Sequence, residues 1–194
     1  KMIKIGILGD IGSGKSFVAK TFGYPVFNAD DEVSKLYRKD RKIFKKLKKK
    51  LPNYIFSFPI KKKEVSEAIL SNNSNLKKIV NIVHPQIRKK LNLFLIKNKL
   101  KKIVILDIPL LLENRINHKK DILIFVHANK KEILKKLKKR KGFNSRLLKK
   151  FKNIQLSLDY KKNKSDFIIK NDFTKKSVKK SIKLILSNIL RWKK

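Results

Sequence analysis

Gly9-Asp10-Ile11-Gly12-Ser13-Gly14-Lys15-Ser16 fits the pattern G-x-x-x-x-G-K-[ST] at every fixed position and directly follows the apolar run Met2 to Leu8. A β-rich run, a glycine loop and then the helix-competent Phe17 to Phe22 commit the start of the chain to strand, loop and helix. Glycines let the backbone curl so that successive N–H groups point inward at a polyphosphate. In such a loop Lys15 reaches the β- and γ-phosphates and the Ser16 hydroxyl completes a Mg²⁺ shell. The bland alternative, a glycine-rich turn that merely joins a strand to a helix, does not call for Lys15-Ser16 at its end. The stretch from Gly9 to Ser16 is therefore read as a nucleoside-triphosphate site.

At 194 residues the chain is long enough for one domain with a real core, and 41% apolar residues keep it globular despite 35% charged ones. There is no cysteine, so disulfides, thiolate metal sites and cysteine nucleophiles are excluded. No run approaches the roughly 20 apolar residues of a membrane span. Met2 to Leu8 passes straight into a strand and a loop, with no signal-peptide pattern, and a cytoplasmic location is expected. The formal net charge of +39 has two readings. A strongly basic surface gathers nucleic acid. Alternatively, a compositional bias spreads lysine over every solvated face. The second is favoured, because lysine far outnumbers arginine and is dispersed along the whole chain. No specific nucleic-acid partner and no membrane partner are expected, and the sequence leaves oligomeric state open.

Taken in order, Tyr24 to Asn28 reads as a second strand, ending in Ala29-Asp30-Asp31-Glu32, acids suited to a helix start. Helices are expected near 33–37, 42–51 and 63–70. From Leu76 to Leu100, Ile79, Val80, Val83, Ile87, Leu91 and Leu95 recur at helical spacing, in one helix or in two divided at Pro85. Ile103 to Asp107, Asp121 to Val126 and Asp166 to Ile169 read as buried strands. Helices are expected from Lys130 to Arg140, from Arg146 to Leu158, and at the C-terminus on the Val178, Ile182, Ile185, Leu186, Ile189, Leu190 face. Strands alternating with helices imply an α/β fold with a five-stranded parallel sheet covered on both faces.

Ligands of such a sheet sit at the carboxyl ends of its strands. Four groups fall there: the glycine loop, Asp30, Asp107 with Pro109 to Glu113, and the loop after the last strand. Asp30 is either a carboxylate that orients an acceptor hydroxyl or a plain helix cap. Asp107 is either a Mg²⁺ holder, directly or through water, or a strand-end turn residue. Arg140, beside the Gly142 break, is either a lid cation that neutralises phosphate charge or part of a solvated lysine face. His84 stays ambiguous between structure and catalysis, and His84, His118 and His127 are too scattered to suggest a metal.

Together these residues resemble the dephospho-CoA kinases over nearly the whole chain, from Ile5 to about Asn171. The resemblance rests on Gly9 to Ser16, Asn28-Ala29-Asp30, His84-Pro85, Asp107-Ile108-Pro109-Leu110-Leu111-Leu112-Glu113, Arg140, Gln155, Asp166 and Asn171. It implies a P-loop NTPase three-layer sandwich, with a helical substrate-binding insertion and a short lid. The whole of residues 1–194 would form a single kinase domain, with a core of about 1–38 and 101–194, an insertion of about 39–100 and a lid of about 138–150. It implies ATP and Mg²⁺ as cofactors and transfer of the γ-phosphate to the ribose 3′-hydroxyl of dephospho-CoA, the last step of CoA biosynthesis. Asp30 would be the base, with Lys15 and Arg140 also catalytic. Gly9, Asp10, Ile11, Gly12, Ser13, Gly14, Lys15, Ser16, Arg140, Gln155 and Asn171 would bind ATP. Asp30, His84, Pro109, Leu110, Leu111 and Glu113 would bind the acceptor, and Ser16 with Asp107 would hold the metal.

Four positions depart from the family pattern. Asp10 stands in place of the second glycine and puts a carboxylate inside an anion-binding loop, so its side chain is expected to point away from the phosphates. Leu8 replaces a threonine, and Lys150 stands where many members carry arginine. Asn28 replaces an aspartate, whose organising role should be lost or weakened. Two other readings remain: a P-loop kinase of another small acceptor, or a basic ATPase that acts on nucleic acid. No Asn-Lys-x-Asp motif is present to read guanine.

Overall fold

The computed structural model describes residues 2–114, 116–140 and 142–191. Its strands are β1 (Ile3–Gly9), β2 (Val26–Asn28), β3 (Ile103–Asp107), β4 (Ile122–His127) and β5 (Phe167–Lys170). The helices are α1 (Lys15–Thr21), α2 (Ala29–Lys39), α3 (Arg41–Lys50), α4 (Lys62–Ser71), α5 (Asn73–Lys97), α6 (Lys130–Lys138), α7 (Ser145–Asn153), α8 (Leu158–Asn163) and α9 (Lys175–Arg191). The strands form one sheet in the order β2-β3-β1-β4-β5, and every neighbouring pair is parallel. From β1 the chain builds β2 and β3 on one side and β4 and β5 on the other. The carboxyl end of β1 is thus the switch point of the sheet, where such folds bind ligands, and residues 9–16 begin there.

The run-like strands are apolar on both faces because both faces are covered. On one face Ile5, Ile7, Ile103, Ile105, Ile124, Val126 and Ile169 pack against Val18 and Ala19 of α1, Phe22 just after it, and Val178, Ile182, Ile185 and Ile189 of α9. On the other, Leu111 lies over Gly6, where a Cβ would come within 2.5 Å of its Cδ2. No helix among the described residues is long and apolar enough to cross a membrane.

The chain divides into two compact units. The sheet-based unit comprises 1–28, 98–144 and 151–194; the helical unit comprises 29–97 with 145–150. The helical unit therefore begins at Ala29, earlier than the insertion boundary near residue 39. The cause is α2, which carries the buried Leu36 and Tyr37 and packs on α3 and α5. Residues 145–150, expected within the lid, belong to the helical unit. There the Lys150 ammonium donates to the α4 carbonyls of Ile69 (2.7 Å) and Leu70 (3.1 Å).

The structure decides one helix expectation that the sequence left open and changes another. The helix α5 runs unbroken through Pro85. Its buried residues Ile79, Val83, Ile87 and Leu91 occupy one face, while Pro85 and Asn81 are exposed. The carbonyl that Pro85 cannot serve belongs to Asn81, where water is available. The helix expected from Arg146 to Leu158 instead ends at Asn153, and a separate α8 follows. Between them the Leu156 N–H leaves helical bonding to donate to Glu113, and Ser157 caps α8 by accepting from the Tyr160 N–H.

Candidate nucleotide site

The loop after β1 is shaped by glycine where no other residue fits. Gly14 has φ 89°, and a Cβ there would lie 2.3 Å from the Asn171 amide nitrogen. Gly9 has φ 148°, and its Cβ would meet the Val126 carbonyl at 2.6 Å. The Lys15 side chain arches back along the loop, donating to the carbonyls of Asp10 (2.7 Å) and Gly9 (3.3 Å). Asp10 turns its carboxylate onto its own loop, where Oδ1 accepts from the Ile11 N–H at 2.7 Å. Its Oδ2 pairs with Lys152 at 3.5 Å.

Beside the loop, the register of the sheet sets Asn28 opposite Asp107. The Asn28 amide donates to Asp107 Oδ2 at 2.6 Å and to Ser16 Oγ at 3.4 Å. Asn28 thus links both expected metal-holding residues, a part the sequence did not foresee for it. Uncharged, it supplies a donor in place of the family's acid. Asp107 itself is 3% exposed, so its carboxylate is fixed by the strand end.

Asn171, beyond β5, reaches the loop from the far side of the sheet order. Its side-chain N–H donates to the Ser13 carbonyl at 2.8 Å and its Oδ1 accepts from the Phe173 N–H at 2.8 Å. At 4% exposure its amide is committed to backbone. Its side chain ties the loop to the segment after β5. Leu111, which the resemblance implies for the acceptor pocket, is 1% exposed and lies over Gly6. Leu110, just before it, has φ 59° on a non-glycine residue, a strained turn of the kind that collects at sites.

Glu113 and Gln155, expected on different ligands, meet in one cluster. Glu113 Oε1 accepts from Lys161 at 2.7 Å and from the Leu156 N–H at 3.0 Å, and Lys161 also donates to Gln155 Oε1 at 3.3 Å. Glu113 Oε2 is buried without a hydrogen-bond partner. Lys161 is buried, yet in sequence it is one lysine in a lysine-rich stretch, and nothing there distinguishes it. Arg140 follows the end of α6, solvent-exposed. Among the described residues no cluster of three or more His, Asp or Glu side chains is placed to bind a metal on its own.

In the helical unit, Asp30, Asp31 and Glu32 form the acidic first turn of α2, and Asp30 is exposed two residues past the end of β2. His84 is half-buried on α5. Burial first, and the Arg88 guanidinium second, hold its imidazole below the ordinary 6.5, so it is neutral at neutral pH.

Comparison with known proteins identifies the family. The family model for dephospho-CoA kinase matches residues 3–177. The chain is 33% identical to the dephospho-CoA kinase of Wolbachia pipientis wMel, an alignment covering 95% of this chain and 97% of the relative. A crystal structure of a Thermus thermophilus protein superposes with TM-score 0.76 at 25% identity, covering 96% of this chain and 97% of that one. The dephospho-CoA kinase from Campylobacter jejuni shares the fold, with TM-score 0.61 at 23% identity and 97% of each chain covered. Because the family model spans most of the chain and the Wolbachia relative aligns over nearly its whole length, the chain belongs to the dephospho-CoA kinase family.

Proposed function

We propose that this chain transfers the γ-phosphoryl group of ATP to the ribose 3′-hydroxyl of dephospho-CoA with Asp30 as the base. The observation that carries the assignment of roles is the bonding of Asn28 to both Ser16 and Asp107 beside the loop after β1, where Lys15 lies along the Gly9 and Asp10 carbonyls. Loop amides and Lys15 hold the β- and γ-phosphates, for which Lys15 exchanges its present bonds to loop carbonyls. Ser16 and Asp107 offer the hydroxyl and carboxylate oxygens that Mg²⁺ prefers, with phosphate and water to complete its shell, so the residues present fit the ion. When bound, Mg²⁺ neutralises charge on the β- and γ-oxygens.

Asp30 accepts the proton of the acceptor hydroxyl as its oxygen bonds to phosphorus and the bond to the β-phosphate oxygen breaks. Arg140 adds positive charge near the transferring group, and Gln155 lies on the adenine side. In this reading the acceptor residues are Asp30 and His84 of the helical unit and Pro109, Leu110, Leu111 and Glu113 of the sheet-based unit. A neutral His84 donates one hydrogen bond and accepts another there without adding charge. A cytoplasmic setting fits a cysteine-free, ATP-consuming enzyme.

The test follows ADP release and CoA formation from Mg-ATP and dephospho-CoA, with adenosine, AMP, shikimate and single-stranded nucleic acid in parallel. CoA formed only from dephospho-CoA is expected. ADP release that answers to another acceptor or to nucleic acid would overturn the substrate. Asp30→Asn should lower turnover roughly 10²- to 10⁴-fold while ATP still binds. Near-normal turnover would remove Asp30 as the base.

A further inference from the structure

The carboxylate at position 10 sits inside the loop that must hold a polyanion, and Lys152 is the cation the structure sets against it. Asp10 is 9% exposed, and its side chain is fixed on two sides by the Ile11 N–H (2.7 Å) and the Lys152 ammonium (3.5 Å). Asp10 and Lys152 belong to the same compact unit and line one cleft of about 330 Å³, with Lys130, Ile133 and Gln155 among its other walls. An uncompensated carboxylate there would repel phosphates at close range, and poorly so screened by water, because Asp10 is nearly buried. Lys152 comes from the end of α7, 142 residues away in sequence, so the pairing is made by the fold alone.

We propose that Lys152 is a positioning residue for nucleotide binding, which acts by neutralising and holding Asp10 rather than by touching ATP. The proposal rests on the reading of residues 9–16 as the ATP site. It predicts dependence of one residue on the other. With Asp10 present, loss of Lys152 frees the carboxylate to swing toward the phosphates. With glycine at position 10, Lys152 has nothing to neutralise and its loss has no effect.

The experiment measures binding of a fluorescent ATP analogue to the full chain, at low and at high salt, for the wild type, Lys152→Ala, Lys152→Arg, Asp10→Gly and the double variant Asp10→Gly/Lys152→Ala. Lys152→Ala should weaken binding roughly three- to tenfold, more at low salt than at high, since the pair is partly exposed and screened. In steady-state assays the loss should fall on KM for ATP with kcat little changed. Lys152→Arg should restore affinity, and Lys152→Ala should change it by less than about twofold in the Asp10→Gly background. An equal loss in both backgrounds would mean that Lys152 meets the nucleotide directly and would overturn the proposal. No loss in either background would overturn it as well. A wild-type chain that binds no ATP would instead defeat the phosphate-loop reading beneath it. Circular dichroism and thermal unfolding of each variant separate these outcomes from failure to fold.

Discussion

In the sheet-based unit the polar groups that shape the site are tied across long stretches of chain. Asn171 holds Ser13 from 158 residues away, Asn28 holds Asp107 from 79, and Lys152 meets Asp10 from 142. In the helical unit the polar ties are mostly local. Asp40 caps α3 through the N–H groups of Lys42 and Ile43, Asn75 donates to Ser71 one turn back, and the buried Glu64 gathers the N–H groups of Phe56 and Ser57 and the Ser57 hydroxyl. Lys150, reaching the end of α4, is an exception. A parallel sheet brings together strand ends that are remote in sequence, so its crevice is assembled from pieces with no local relation to one another. A helical layer is written in periodic apolar positions and caps, each decided within a turn or two. The groups around residues 9–16 are held by the long-range ties.

Substitutions can break this contrast. The largest effect on stability is expected in the helical unit, from its apolar core. Leu47→Ala removes a side chain with no solvent exposure and should cost about 2–5 kcal/mol, read by urea unfolding, with KM for ATP unchanged in the folded protein. A rise in that KM would show that the helical core and the nucleotide loop are not separable. Next comes Asn171→Ala, which leaves the Ser13 carbonyl without its buried donor and should cost about 1–3 kcal/mol. Unlike Leu47→Ala, it should also raise KM for ATP, because the loop loses its tether. Stability lost with KM untouched would make Asn171 an ordinary core polar residue. The smallest effect belongs to Asp40→Ala, the loss of one local cap, at about 1 kcal/mol and with no kinetic change.

The same contrast explains what could be read in advance. The loop from Gly9 to Ser16 was legible because one local motif encodes both its shape and its chemistry. The buried strands were legible as apolar runs, since a sheet covered on both faces leaves no room for alternation. The helix α5 could be recognised by its spacing, but whether Pro85 broke it depended on which face the proline occupied. The split of Arg146 to Leu158 into α7 and α8 was hidden, because it depends on Glu113, more than forty residues away, taking the Leu156 N–H.

The burial of Lys161 and the pairing of Lys152 were hidden for another reason. In a chain with 53 Lys and Arg residues, a functional lysine looks like all the others until a partner is seen beside it. Asn28 was visible only as a departure from a pattern, and its bonds to Asp107 and Ser16 needed the β2–β3 register to appear.

The sequence by itself determined the phosphate loop, the parallel α/β class, the kinase family and the carboxylates near the strand ends, because each is carried by residue type and short-range spacing. The tertiary structure alone decided that Asn171 ties the loop to the segment after β5, that Leu111 lies over Gly6, that α2 joins the helical unit, and that Asp10 has a counter-ion. Each of these is a question of which distant group fills a hydrogen bond, a cavity or a charge, and only packing brings such groups within reach.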